Sequence, residues 1–309
     1  MNNPVTELRA RRKGPKIITA ILLFLSVAAA LGVLATSAYV GWNLTHPARQ
    51  AIDKTPLEVG IAYRDIVFPC RGNEVSLSGW LLQSPANRKT VIMAHGYRKN
   101  RLQNDVPALP IAKDLYDQGY NVIMFDFRNC GLSEGNLTSV GQYEVQDLLG
   151  AVDFVKSQPQ LNQEIVLMGF SMGASTAILA GAREPAVAAV IADSPFADLA
   201  TYLDQNLSVW TELPSVPFNQ AFFLVVPAMT GLRMEAVSPI QEISGLNDRQ
   251  LLLIHGEADV DVPISNSEAL ASAASGSRLL RVPEAGHVKS FAADNSLYLN
   301  TVNDFMAGI

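Results

Sequence analysis

Ile165-Val166-Leu167-Met168 runs into Gly169-Phe170-Ser171-Met172-Gly173 and then into Ala174-Ser175-Thr176-Ala177-Ile178-Leu179-Ala180. The first run is short, apolar and β-branched at its start, the pattern of a buried strand. The last is rich in Ala, which suits a helix lying close against a sheet. Two glycines around one serine at a strand-to-helix junction predict a sharp turn that holds the serine in a strained backbone conformation. Its hydroxyl then stands free at the sheet's edge, above a helix N-terminus. That terminus offers unpaired N–H groups and a partial positive charge, both suited to a developing oxyanion. This is the G-x-S-x-G pattern.

Outward from this point, short apolar strands alternate with helical segments. Thr90–Ala94, Asn121–Asp126, Val187–Ala192, Leu251–Ile254 and Arg278–Val282 read as strands; Val106–Gly119, Gln142–Ser157, Ser265–Ala274 and Leu297–Met306 read as helices. That alternation predicts a mostly parallel sheet covered on both faces, with its site at the carboxyl ends of the strands. Ile61–Phe68 and Val75–Gln83, joined by Cys70-Arg71-Gly72-Asn73-Glu74, read as an antiparallel hairpin before it. From Phe196 to about Asn247 the alternation breaks. This stretch carries Trp210, Phe218, Phe222, Phe223 and several prolines, and reads as a lid over the active edge.

A serine hydroxyl needs a base, and the base needs an orienting group. The chain has 4 histidines. His46 falls beside an apolar segment and reads as a linker residue. His95 and His255 each precede a glycine at a strand end and read as braces for strand-end loops. His287, in Glu284-Ala285-Gly286-His287, follows the last strand and is the candidate base. Asp259, in His255-Gly256-Glu257-Ala258-Asp259-Val260-Asp261-Val262-Pro263, is the candidate acid. Asp261 on the same loop and Asp193 at another strand end are the alternatives. The chain order Ser171, Asp259, His287 is that of acyl hydrolases built on such a sheet.

With these residues in view, the chain resembles the α/β-hydrolase superfamily over roughly Arg64 to Met306, and is most similar to its small membrane-anchored serine hydrolases. The resemblance implies an α/β-hydrolase fold and a Ser171–His287–Asp259 triad. It implies an oxyanion hole made by the backbone N–H groups of Tyr97, in His95-Gly96-Tyr97, and Met172. Asp126-Phe127-Arg128-Asn129-Cys130-Gly131-Leu132-Ser133-Glu134-Gly135 resembles the family's Arg-Gly-x-Gly-x-Ser-x-Gly loop but carries Asn129-Cys130 where Gly and a small or aromatic residue are usual. Hydrolysis of carboxylic esters or thioesters is the expected activity. A serine peptidase of the same fold, or a non-catalytic membrane-tethered binding protein, is the alternative. No metal and no organic cofactor is called for.

Composition bounds the rest. The chain has 309 residues, 49% of them hydrophobic, enough for a sizeable core, and a net charge of −6. No basic stripe argues for nucleic acid. From Ile17 to Leu44 there is no Asp, Glu, Lys or Arg, and a helix here is long enough for a hydrocarbon layer that takes ~20 residues. Arg9, Arg11, Arg12, Lys13 and Lys16 precede it, and Tyr39 and Trp42 mark its far end. The positive-inside rule then keeps the N-terminus cytoplasmic and carries the remainder across. The organisation expected is a basic cytoplasmic segment (1–16), a transmembrane helix (17–42), a linker (43–60) and the catalytic domain (61–309). A cleaved signal peptide, with small residues at Ala35-Thr36-Ser37-Ala38, competes with the uncleaved anchor. Cys70 and Cys130 match no metal-ligand spacing and leave open a disulfide or two free thiols. The partners expected are an acyl or lipid-like small molecule and, through the first helix, the membrane.

Overall fold

The computed structural model describes residues 14–246 and 249–309. Most of the basic cluster, Arg9 to Lys13, lies outside the described residues, as does the end of the expected lid at Asn247. The first helix, α1, is Gly14–Thr45. Among the described residues eight strands form one sheet: β1 (Arg64–Pro69), β2 (Ser76–Leu82), β3 (Thr90–Ala94), β4 (Asn121–Phe125), β5 (Ile165–Phe170), β6 (Val187–Asp193), β7 (Gln250–Gly256) and β8 (Arg278–Val282). Their order is β1-β2-β4-β3-β5-β6-β7-β8. β1 pairs antiparallel with β2 and β2 with β4, while the pairs from β4 through β8 are parallel.

The period of two along each central strand sorts the core into two layers. Ile92, Ile123, Phe125, Leu167, Val190 and Leu253 face one side. Val91, Met93, Met124, Met168, Ile191 and Ile254 face the other. The first layer packs under α3 (Glu144–Lys156) and α4 (Met172–Arg183), the second under α2 (Ala108–Asp117) and the C-terminal helix Asn295–Ala307. Because both faces are covered, the central strands are buried along their whole length and read as continuous apolar runs.

Between β6 and β7 the chain leaves the sheet as α5 (Leu199–Thr211), α6 (Ser215–Thr230) and the short α7 (Pro239–Glu242). α5 and α6 make the roof over the carboxyl ends of the strands, and α7 packs against α4. The roof also takes in the end of α1. Ser37, Gly41 and Thr45, four residues apart, are the buried stripe of that helix. Gly41 meets Phe222 and Val226 of α6 so closely that a Cβ there would sit 2.2 Å from a Val226 methyl. The end of α1 is docked by Thr138 N–H, which donates to the Thr45 carbonyl at 2.8 Å, and beyond the helix the Arg49 guanidinium donates to the carbonyls of Gly131, Ser133 and Gly135. Cys70 and Cys130 are free, buried thiols.

The loop that departs from the family pattern closes on itself. Asn129 sits at φ 59°, a left-handed conformation that Asn tolerates better than other side chains, which is why it can stand where Gly is usual. At Gly131, φ 44°, any Cβ would fall 2.1 Å from the Asp126 carboxylate. That carboxylate instead accepts from Leu132 N–H and pairs with Arg101 in the interior.

Candidate active site

Ser171 is the residue between β5 and α4, at φ 53°, ψ −117°. A non-glycine residue held there stores roughly 1–3 kcal/mol of strain. What holds it is close packing on both sides. A Cβ on Gly169 would lie 2.1 Å from the Gly173 carbonyl oxygen, and one on Gly173 would lie 2.1 Å from that of Ala94 at the end of β3. Only glycine at both places lets the turn fold flat against the neighbouring strand. The Ser171 N–H donates to the Asp193 carbonyl at 2.8 Å, so β6 fixes the turn from its other side.

His287 lies in the loop after β8. Its Nε2 is 2.8 Å from Ser171 Oγ and its Nδ1 is 2.8 Å from Asp259 Oδ2. Asp259 sits in the loop after β7, where its Oδ1 accepts from the N–H groups of Val262 at 2.8 Å and Asp261 at 3.0 Å. The sequence therefore places all three residues at the ends of β5, β7 and β8, and the fold brings them into one hydrogen-bonded line. Of the alternative acids, Asp261 contributes its backbone to the turn that orients Asp259. Asp193 is fully buried and accepts from Ser194 Oγ at 2.9 Å rather than from His287. Ser194 Oγ in turn accepts from Val288 N–H, steadying the loop that carries His287.

Electrostatics follow from this geometry. Burial opposes ionisation of Asp259, but hydrogen bonds from His255 and His287 outweigh it and bring its pKa down to about 2. Burial also acts to lower the His287 pKa, yet the Asp259 hydrogen bond and charge win and raise it above 6.5. His287 is thus poised to hold a proton once it receives one.

By its place in the sequence His255 is a brace for a strand-end loop, and the structure adds to that part. His255 is fully buried. Its Nε2 lies 2.8 Å from the Val262 carbonyl and 3.2 Å from Asp259 Oδ2, and its Nδ1 lies 2.7 Å from Ser267 Oγ. A carbonyl can only accept, so Nε2 carries the proton and shares it between Val262 and Asp259. The signal was available in the tight spacing His255-Gly256-Glu257-Ala258-Asp259, which folds strand end and acid onto each other. His95 does brace a loop: its Nε2 accepts from Phe127 N–H at 3.0 Å and its Nδ1 bonds the Gly96 carbonyl at 2.8 Å. Burial lowers the His95 pKa, in keeping with a neutral ring. His46 stacks on Trp42 at the end of α1, with ring centroids 3.7 Å apart.

Ser171, Met172 and Tyr97 line one cavity. Gly96 lies against the Phe170 carbonyl, which sets Tyr97 beside the turn. The roof supplies the remaining wall, with Phe196, Leu199, Trp210 and Phe222 among its residues, and Leu44 and Thr45 of α1 complete it. The polar tips of the aromatic side chains are turned to one another. Trp210 Nε1 donates to Tyr202 Oη at 2.7 Å, and Tyr202 Oη donates to the Asp261 carbonyl at 3.0 Å. Tyr97 Oη donates to the Leu44 carbonyl at 2.6 Å. The walls left facing the cavity are therefore mostly apolar, with Ser139, Gln142 and Arg233 as the polar residues at the lining. Among the described residues no group of three or more His, Cys, Asp or Glu side chains is placed to hold a metal ion.

Comparison with known proteins agrees with this architecture. Residues 82–217 match the family of X-Pro dipeptidyl-peptidases (S15 family), and residues 228–308 match the TAP-like proteins. The first match contains Ser171 and Tyr97, the second Asp259 and His287. YqkD of Bacillus subtilis is 34% identical over 220 residues, 70% of each chain. The thiohydrolase aneE of Aspergillus aculeatus is 31% identical over 135 residues, 42% of this chain and 41% of that one. The esterase Pf2001 of Pyrococcus furiosus superposes with a TM-score of 0.72 at 26% identity, over 85% of this chain and 97% of that one. The chain belongs to the α/β-hydrolase superfamily. Its fold is the α/β-hydrolase fold, preceded by a helix long and apolar enough to cross a membrane.

Proposed function

We propose that this protein is a membrane-anchored serine hydrolase that cleaves carboxylic esters or thioesters by acyl transfer. The observation that carries this reading is the unbroken line from Ser171 Oγ through His287 to Asp259, at 2.8 Å for each contact. Ser171 Oγ attacks the carbonyl carbon while His287 Nε2 takes its proton. Asp259 stabilises the imidazolium, and the N–H groups of Tyr97 and Met172 receive the oxyanion. Collapse of the tetrahedral intermediate breaks the bond to the leaving alcohol or thiol, which takes the proton from His287. Water, deprotonated by His287, then releases the acid from Ser171.

The apolar cavity supports an acyl group over a peptide, since a peptide needs hydrogen-bonding partners along its backbone. Peptide hydrolysis is the second reading, favoured by the dipeptidyl-peptidase match over residues 82–217. In the organisation we propose, α1 is an uncleaved anchor behind a cytoplasmic basic segment (1–16), the connection of about 43–60 begins as the docked end of α1, and the catalytic domain (61–309) lies on the far side of the membrane.

A fluorophosphonate probe tests the reaction class. The native protein is expected to be labelled and Ser171→Ala is not; equal labelling of both would remove the nucleophile and leave the binding-protein reading. p-Nitrophenyl esters of graded acyl length, set against a panel of proline-containing dipeptide amides, then separate esterase from peptidase.

A further inference from the structure

The end of α1 does more than lead into the domain, because it forms part of the cavity wall. Side chains from Ile17 to Gly32 are exposed, and protein contact begins at Val33. These sixteen residues rise about 24 Å at ~1.5 Å each, short of the ~30 Å of hydrocarbon that a span of about 20 residues crosses. A span starting at Ile17 therefore ends near Thr36, inside the stretch that already packs against the domain. Gly41, five residues further on, sits roughly 7 Å beyond the hydrocarbon edge, within the headgroup layer. Tyr39 and Trp42, 72% and 50% exposed, occupy this same level, where amphipathic rings are favoured.

Gly41 fixes the height of α6. Phe222 and Val226 flank it, so Leu224, between them in sequence, stands at the level of the headgroups as well. From Ser215 to Thr230 α6 has no charged residue. Its outer face is Pro217, Gln220, Leu224 and Ala228, on which Leu224, 67% exposed, is the large apolar side chain, with Met229 near the end; Val216, 71% exposed, stands just before the regular helix, at φ −107°, ψ 127°. An uncharged helix that exposes a large aliphatic side chain at the level of an aromatic belt matches a lipid interface rather than water. The inner face of the same helix, Phe222 and Val226, lines the cavity that holds Ser171. Leu44, the first residue of α1 to line the cavity, is about twelve ångströms past the hydrocarbon edge by the same rise.

We propose that α6 lies in the membrane interface beside the anchor and that the cavity takes its substrate sideways from the bilayer, as an ester or thioester with a long acyl chain dissolved in the leaflet on the domain's side. This rests on the serine-hydrolase and anchor readings above and specifies where their substrate resides.

The test uses the full chain in phosphatidylcholine vesicles. Cys70 and Cys130 are buried, so Leu224→Cys can be labelled selectively with bimane. Gln160→Cys, on an exposed turn before β5 at the opposite end of the sheet, is the reference. Lipids carrying a doxyl quencher are expected to quench position 224 several-fold more than position 160; equal quenching overturns the docking. In parallel, Leu224→Glu is expected to slow hydrolysis of a palmitoyl ester carried in the vesicles about tenfold, with p-nitrophenyl acetate in solution cleaved as before. Equal rates for wild type and variant on the palmitoyl ester overturn the lateral route. Selective quenching at 224 in a protein that cleaves neither ester would overturn the hydrolase reading and leave the docking intact. Acetate hydrolysis without selective quenching would overturn the docking alone.

Discussion

The floor and the roof of the cavity are built on opposite plans. The floor is the carboxyl edge of the sheet, where Ser171, Asp259 and His287 stand on strand ends and each polar atom of the line has a partner at 2.8–3.0 Å. The roof is helical, with packing of Gly41 on Phe222 and Val226 as its closest joint, and its polar atoms bond one another away from the cavity. Such a division separates reaction from selection. In the proposed reaction the hydrogen-bonded groups fixed to the sheet set the rate of bond cleavage, and the apolar surfaces of the roof set which acyl group is accepted. Variants of the floor should therefore lower kcat with little change in KM, and variants of the roof should do the reverse.

The largest break in that contrast is expected at Asp259. Asp259→Asn keeps the shape but presents an amide to His287 Nδ1, and a loss of about 10⁴ in kcat follows when an orienting carboxylate is exchanged in this way. Asp261→Asn, whose contribution to the turn is its backbone N–H, should stay within a few-fold of wild type. The pH profile supplies a second measurement. His287 must be neutral to accept the serine proton, and Asp259 raises its pKa, so the rising limb of kcat/KM should have its midpoint above 6.5. Removing the carboxylate leaves burial as the main influence on the ring, and the limb should move to lower pH. A limb that moves upward, or Asp261→Asn as the more damaging change, would undo the assignment.

The floor was legible because its chemistry is local. Glycines at 169 and 173 are dictated by backbone that would lie 2.1 Å from any Cβ at either place, and such close approach has to be written in the sequence as glycine. Strand bounds were legible too: β3 and β8 run over Thr90–Ala94 and Arg278–Val282, as the alternation of strands and helices predicts. The roof was less legible. Trp210, Phe222 and Val226 could be read as lid residues, but nothing local connects them to α1, nearly 180 residues earlier. That joint depends on Ser37, Gly41 and Thr45 forming one face of a helix, a pattern hidden within an apolar run whose other residues serve a different contact. His255 was half legible: its place at a strand end was plain, whereas its proton shared between Val262 and Asp259 depends on how the following loop turns.

A smaller effect, still in the floor, is expected at His255. Its Nε2–H supports the Asp259 carboxylate at 3.2 Å, and a hydrogen bond to a charged group is worth about 1.5–3 kcal/mol. His255→Gln should lower kcat by roughly ten- to a hundredfold, leave KM for a short ester unchanged, and alter the midpoint of the rising pH limb. A merely structural loss would instead lower Tm without moving that midpoint. If KM rises while kcat holds, the partition between floor and roof fails at this residue.

The smallest effect tests the one carboxyl of the floor that stands apart from the line. Asp193 is wholly buried, and burial raises its pKa to about 6 despite its hydrogen bond from Ser194. A carboxyl whose folded pKa lies above its unfolded value of 3.8 stabilises the fold only while protonated. Its contribution is complete below the unfolded pKa and is lost as pH rises through about 6, amounting to at most ~3 kcal/mol by linkage. Asp193→Asn keeps an oxygen for Ser194 and removes the titration. The variant should melt close to wild type at pH 4 and above it at pH 8, with esterase activity changed by only a few-fold. Melting curves that stay parallel across this range would mean that Asp193 remains ionised within the sheet edge, and the floor would then hold a second negative charge acting on His287.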